Sequence, residues 1–329
     1  HRDLHSFPTR RSSDLVVFTS GATESNNWVL QGVVAAYRGD GKPHLVVSQV
    51  EHPSVGKTAD FLEQHGRAEV TRVGVDGWGR IRVEEVLQAL KPNTALVSIM
   101  HSNNEVGTLQ PIADLAQALG GRVALHSDAA QSPGKVPVGL QGIDFLSIAG
   151  HKMYAPKGIG ALYIRQGQRL EPLLWGAGHE GGRRSGTENV AYAVALGAAC
   201  QLVDPEEGPR MAGLRDRLFG LLQQHLGERV VLNGHPEERL PNTLSVNFLG
   251  VRGAQITAAC PGLAASTGPA CHDGVVRLSH VLSAMGVDPE VGKGAVRLSL
   301  GRKTSAEEVT AAASQLVAAY GSLVKGPVR

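Results

Sequence analysis

The chain has few cysteines, few aromatics and almost no net charge. Three cysteines occur in 329 residues, none in a Cys-x-x-Cys pair, which excludes a disulfide scaffold and a Cys-rich zinc site. Aromatic residues make up only 4% of the chain. The 32 basic and 30 acidic side chains leave +2, without the basic excess of a nucleic-acid-binding protein. No apolar run approaches the ~18 residues of a membrane span, and no secretory pattern is visible. These absences point to a cytoplasmic protein with neither nucleic acid nor membrane as partner. What is present is a 42% hydrophobic fraction, enough for a substantial core, and 41 glycines, well above the usual ~7% share. Low charge with ample apolar content excludes a disordered chain and leaves one large or two modest domains.

Residues 1–15, HRDLHSFPTRRSSDL, have neither helical nor strand periodicity, and at Val16 the character changes to a β-branched run. The stretch reads as a non-native tail, the alternative being a native disordered N-terminus, and it is set aside in predicting the fold. Beyond it, short apolar runs at 16–18, 44–48, 94–100, 123–127, 145–148 and 161–164 alternate with helical patterns at 24–38, 55–65 and 112–119. That alternation predicts an α/β fold with a mostly parallel sheet over 16–204. Helical stretches at about 186–203 and 210–226 follow. Strands at 230–232, 243–248 and 295–300 then predict a smaller α+β domain over 205–329, with Pro205-Glu206-Glu207-Gly208-Pro209 as the hinge.

Ligands of parallel α/β sheets bind beyond the carboxyl ends of the strands, and the polar clusters fall there. SGATESNN, EHPS, HSNNEVG, HSDAAQ and AGHK each follow a strand pattern. Ser20-Gly21-Ala22-Thr23 is a glycine turn opening a helix, suited to a phosphate but equally to an ordinary N-cap. It matches neither a Walker loop nor the dinucleotide fingerprint. In His126-Ser127-Asp128, with Gln131, the acid could pair with a protonated ring nitrogen, bind a metal or cap a helix. A metal would need further ligands at suitable spacing; His126, Asp128 and His151 are available, but no metal site is expected. Lys152, in Gly150-His151-Lys152, follows an apolar strand; a lysine near buried surface has a lowered pKa and can form a Schiff base. A phosphate cup, an acid for a ring nitrogen, a histidine and a lysine nucleophile together suit pyridoxal 5'-phosphate. Cys271 lies in TGPACHDG, a turn-rich stretch that predicts a mobile, accessible thiol, with His272 beside it to favour thiolate. Cys200 and Cys260 sit in apolar surroundings and are expected to be buried and inert.

Taken together these motifs resemble the cysteine desulfurases of the NifS/IscS class within the class-V aminotransferase family, selenocysteine lyases included. The matching blocks are FTSGATESNN (18–27), VEHPSV (50–55), SIMHSNNEVGTLQPI (98–112), HSDAAQSPGK (126–135), GHKMYAPKGIGALYIR (150–165), RSGTENV (184–190), LPNTLSVNF (240–248), ACH (270–272) and RLSLGR (297–302). They stand in family order and span nearly everything after residue 15.

The resemblance implies a fold-type I pyridoxal-phosphate enzyme, with a mostly parallel seven-stranded sheet and a small C-terminal domain, usually a homodimer. It makes Lys152 the Schiff-base lysine, Asp128 the partner of the ring nitrogen and Gln131 the partner of the ring hydroxyl. His52 would stack on the ring and shuttle protons. Ala22, Thr23 and His151 would bind the phosphate, joined by Thr187 from the neighbouring subunit. Asn104 and Arg297 would hold the substrate carboxylate, and Cys271 would take the sulfur as a persulfide. The implied substrate is L-cysteine or L-selenocysteine, and the implied partner is a sulfur acceptor such as an iron–sulfur scaffold. Three departures are visible. Ala149 replaces a serine that often touches the phosphate. ACHDG replaces the more usual Ala-Cys-Thr-Ser. Family members also carry a segment before the first block, where this chain has residues 1–15, so an inactive truncated homologue or fragment stands as an alternative to the enzyme.

Overall fold

Each of the expected apolar runs forms a strand, and the clusters SGATESNN and EHPS turn directly into helices. The structure, a computed structural model, describes residues 14–267 and 278–324. Seven strands form the main sheet: β1 (Asp14–Thr19), β2 (His44–Ser48), β3 (Glu69–Val73), β4 (Thr94–Ser98), β5 (Ala124–Asp128), β6 (Phe145–Ala149) and β7 (Gly160–Arg165). Their order is β1-β7-β6-β5-β4-β2-β3. The pairs from β3 across to β6 are parallel, whereas β7 runs antiparallel to both of its neighbours, β1 and β6. β1 therefore points the same way as the parallel strands, and its carboxyl end opens on the same edge.

The inner strands β2, β4, β5, β6 and β7 are largely buried on both faces, as a helix-covered parallel sheet requires. Alternate residues of β2 divide between two cores. Leu45 and Val47 pack with Trp28, Leu96, Phe145 and Leu162 on one face. Val46 packs with Val97, Ile99, Leu119, Leu125 and Leu146 on the other. The covering helices include α1 (Ala22–Ala36), α2 (Pro53–Gln64), α3 (Val83–Gln88) and α4 (Ile112–Leu119). In α4, Ile112, Leu115, Ala116 and Leu119 recur at i, i+3, i+4 and i+7 and are all buried, the pattern of an amphipathic helix. Gly120 ends it at φ 56°, where glycine pays no Cβ penalty. The short α5 (His179–Gly182) and the longer α6 (Val190–Gln201) follow.

A second, antiparallel sheet has the order β10-β9-β8, from β8 (Val230–Asn233), β9 (Thr243–Phe248) and β10 (Ala295–Ser299). It packs against α7 (Glu207–Leu226) and α11 (Ala306–Val324) through Leu218, Leu222, Val246, Phe248, Leu316 and Tyr320. The short helices α8 (Gly253–Ala258), α9 (His280–Ala284) and α10 (Pro289–Gly292) complete this part. Among the described residues no helix is long and apolar enough to cross a membrane.

Several boundaries differ from expectation. β1 begins at Asp14, inside the stretch set aside as a tail, because Asp14 and Leu15 pair with Arg165 and Ile164. The expected 205–209 hinge is largely the first turn of α7, where a proline costs little because the early N–H groups lack intrahelical partners. α6 starts at Val190 instead of 186, its end fixed by the Asn189 side chain accepting from Tyr192 N. β3 and α3 were not anticipated. β3 is an edge strand whose charged Glu69 and Arg72 break the apolar pattern. Cys260 is buried, but Cys200 is exposed; it lies on α6, where only Leu196 and Ala199 are buried.

Candidate active site

The carboxyl ends of the parallel strands surround a cavity of about 470 Å³, within the usual range for a cofactor or small-ligand site. Ala22, Thr23, His52, Asn104, Asp128, Gln131, His151, Lys152 and Arg297 all line it. Residues spread from 22 to 297 thus meet in one place. Thr187 does not line the cavity and is exposed. Its segment is tied down by Arg184, whose Nε and Nη2 donate to the two Glu24 oxygens at 2.9 and 3.2 Å. Cys271 lies outside the described residues.

The turn into α1 forms one wall. Gly21 adopts φ 154°, ψ 176°, a region essentially confined to glycine. Strand β7 leaves no room beside it: a Cβ on Gly160 would lie 2.6 Å from Gly21 Cα and 2.5 Å from the Ile148 carbonyl oxygen. Gly21 is the N-cap and offers no side-chain cap. The leading N–H groups of a 15-residue helix therefore face the cavity without a capping oxygen, an arrangement that favours an anion.

Asp128 closes the inner end, buried at the tip of β5. Asn26 Nδ2 donates to its Oδ2 at 2.7 Å, and Ala130 N donates to its Oδ1 at 2.9 Å. Burial holds its pKa above the ordinary carboxylate range. Asn26 Nδ2 also donates to Ser54 Oγ at 2.8 Å, and Ser54 Oγ is 2.8 Å from His52 Nδ1. Ser54 N donates to the same ring nitrogen at 3.2 Å. A backbone N–H can only donate, so Nδ1 accepts and the neutral imidazole carries its proton on Nε2. A continuous hydrogen-bonded chain thus runs from His52 through Ser54 and Asn26 to Asp128.

Lys152 stands in a 3-10 turn, Gly150–Met153, directly after β6. The turn is closed by Tyr154 at φ 69°, an uncommon conformation for a bulky residue. Tyr154 Oη accepts from Arg302 N at 2.8 Å, and the Arg302 guanidinium lies 4.8 Å from the ring centroid. Desolvation, and then the positive charge of Arg297, lower the Lys152 pKa, which favours the unprotonated, nucleophilic amine. Desolvation likewise lowers His151, with nearby lysines adding to the effect.

Arg297 reaches the cavity from β10. Its Nη1 donates to the Asn104 carbonyl at 2.6 Å, while its Nε is buried without a partner. Ser266 and Arg297 exchange backbone hydrogen bonds at 3.1 and 2.7 Å. Ser279 Oγ donates to Glu105, and His280 Nε2 lies 3.0 Å from the Glu51 carbonyl. The residues flanking 268–277 are thereby fastened to Arg297 on one side and to the neighbours of Asn104 and His52 on the other.

Sequence reasoning missed Asn26, Ser54 and Lys157. Asn26 and Ser54 lie inside quoted motifs, and the available signal was a polar side chain on the face of a helix that must meet the sheet. His126 does not reach the cavity. It is buried between Ser98 and Ser147, with burial lowering its pKa to about 3.

A seven-stranded sheet with one antiparallel member, a buried acid at one strand end and a lysine at the next define a fold-type I pyridoxal-phosphate-dependent enzyme. The family model for class-V aminotransferases matches residues 2–311, and the chain belongs to that family. It is 42% identical over 301 residues to cysteine desulfurase IscS 1 of Archaeoglobus fulgidus, covering 89% of this chain and 78% of that protein. Among solved structures, a NifS-like protein superposes with TM-score 0.82 at 35% identity, covering 94% of this chain and 82% of that one. A structure described as SspA in complex with cysteine superposes with TM-score 0.75 at 35% identity, covering 87% and 81%.

Proposed function

We propose that this enzyme is a pyridoxal-phosphate-dependent cysteine desulfurase, converting L-cysteine to L-alanine and carrying the released sulfur as a persulfide on Cys271. The observation that carries the reading is the convergence of Lys152, Asp128, His52 and the uncapped α1 turn on one cavity that Arg297 also enters. The donor set suits the cofactor: a carboxylate whose burial calls for a cationic partner, an amine of lowered pKa, and free N–H groups for a phosphate. When bound, pyridoxal phosphate supplies an aldehyde carbon for Lys152 and a ring that withdraws electrons from the substrate Cα.

This chain's residues do the rest. Asp128 keeps the ring nitrogen protonated, and Gln131 meets the ring hydroxyl. Ala22, Thr23 and His151 receive the phosphate. His52 presents Nε2–H and is oriented by Ser54. Arg297, with an unused buried Nε, and Asn104 take the substrate carboxylate. The Lys152 amine, of lowered pKa, would take the proton from the substrate Cα and later return one there. The Cys271 thiolate attacks the substrate sulfur: an S–S bond forms, the Cβ–S bond breaks with its electrons left on carbon, and a proton added at Cβ together with the one returned to Cα gives alanine.

In this reading residues 16–204 hold the cofactor and 205–329 carry the thiol. The chain works as a homodimer, to which Thr187 contributes across the interface. α6 supports that arrangement, since Val190 and Val194, one turn apart on it, are each 67% exposed, apolar surface that suits a second copy. The persulfide passes to an acceptor such as an iron–sulfur scaffold protein.

The test is alanine formation from cysteine and from selenocysteine by purified protein with added pyridoxal phosphate. Wild type should form alanine and show the visible band of cofactor joined to Lys152. Cys271→Ala should keep the band and lose sulfur transfer. Full turnover by Cys271→Ala would refute the assignment of the thiol, and absence of the band from wild type would refute the cofactor.

A further inference from the structure

Lys135 has no role in the reading above, yet its ammonium lies against the site. Nζ donates to the Gln131 carbonyl at 2.8 Å and to the Lys152 carbonyl at 3.0 Å. These are the backbones of the residue assigned to the ring hydroxyl and of the residue assigned to the covalent link. The first belongs to the loop after β5 and the second to the 3-10 turn after β6, so one side chain staples two segments otherwise joined through the sheet.

No carboxylate among the described residues pairs with Nζ. The charged groups around it are Lys152, His151, Arg302 and Glu207. Glu207 pairs with Arg210, and Arg302 is stacked on Tyr154. Burial, and then the charge of Lys152, bring the Lys135 pKa down to about 8. The ammonium form still predominates at neutral pH.

We propose that Lys135 is a positioning residue whose ammonium aligns Gln131 with Lys152 and whose charge makes the cofactor-joined Lys152 nitrogen more acidic. The inference rests on the proposed function. Each carbonyl is held by a charge-assisted bond, stronger than one between neutral groups. A cation fixed beside the Lys152 backbone disfavours a second positive charge on that residue's side chain.

The experiment titrates the visible absorbance of cofactor-loaded protein over roughly pH 6 to 10, in wild type, Lys135→Met and Lys135→Arg. Lys135→Met removes charge and donors, and its midpoint should rise by on the order of one pH unit, the effect of one nearby charge in a partly desolvated site. Lys135→Arg keeps both and should titrate close to wild type. A Lys135→Met protein that carries the band with an unchanged midpoint overturns the proposal, as does a Lys135→Arg midpoint that moves as far as that of Lys135→Met. A merely structural role would lower the melting temperature of both variants and leave the midpoint alone. If Lys135→Met fails to fold, Lys135→Gln, which keeps one donor without the charge, is held to the same criterion. If wild type shows no band, the proposed function fails first and this inference falls with it; a wild-type band with an unmoved variant midpoint refutes only the role of Lys135.

Discussion

Glu51→Gln removes one buried ionisation while keeping nearly the same shape. Glu51 is 3% exposed, beside His52. Its Oε1 accepts from Ser48 Oγ at 2.6 Å and from Met100 N at 2.9 Å, and its Oε2 is buried without a partner. Burial, assisted by the negative charge of Asp128, pushes its pKa from the ordinary 4.5 up to about 8. Between about pH 5.5 and 7.5 the folded protein therefore holds a proton here that the unfolded chain has released. Stability from this group is fully present below about 4.5 and is lost as pH rises through about 8. One extra proton in the folded state corresponds to about 1.4 kcal/mol per pH unit, or about 3 kcal/mol across that window. The variant retains the Oε1 acceptor and has nothing to titrate. Urea unfolding of both cofactor-free proteins across the window should show wild type losing stability by that amount relative to the variant, with unchanged m-values. Parallel pH slopes for the two proteins would sink the argument.

Asp128→Asn should fold, because Asn26 Oδ1 has no partner and can turn to meet the new amide; cofactor affinity, followed by absorbance titration, should fall roughly 10- to 100-fold with loss of a charge-assisted bond. Wild-type affinity in that variant would remove Asp128 from the ring nitrogen. Gly160→Ala places a Cβ 2.5 Å from the Ile148 carbonyl oxygen and 2.6 Å from Gly21 Cα, so it should cost at least about 2 kcal/mol in chemical denaturation; a neutral result would contradict the close packing of β7 on the α1 turn. Val194→Glu, at a position 67% exposed on α6, should halve the mass seen by sedimentation equilibrium if α6 is the dimer face, and an unchanged dimer would exclude it.

Much of the site was legible because function placed polar clusters directly after apolar runs. Asp128, Lys152 and the Gly21 turn could each be found that way and do line one cavity, and only their combination pointed to a cofactor instead of ordinary caps. Asn26 was less legible, since a buried helical asparagine is recognisable only once its partners, Ser54 and Asp128, are seen. Edge strand β3 escaped because its charges serve surface pairs, Arg72 with Asp60 and Glu63, and so leave no apolar alternation. The exposure of Cys200 escaped for the opposite reason: α6 is apolar on every side, and composition alone cannot tell a helix within a core from one awaiting a neighbour.

The place of β7 beside β1 has a consequence for how the enzyme is made. The turn that would grip the phosphate is pressed against Gly160, about 140 residues downstream, and among the described residues β1 finds a strand partner only in β7. Contacts between such distant parts of a chain close slowly. A nascent chain that has emerged only as far as β6 possesses the acid and the glycine turn but lacks the strand that seats β1 in the sheet. Under the proposed function, acquisition of colour on adding cofactor is therefore expected only once β7 has joined the sheet, and it can be followed in a growing culture without purifying the protein.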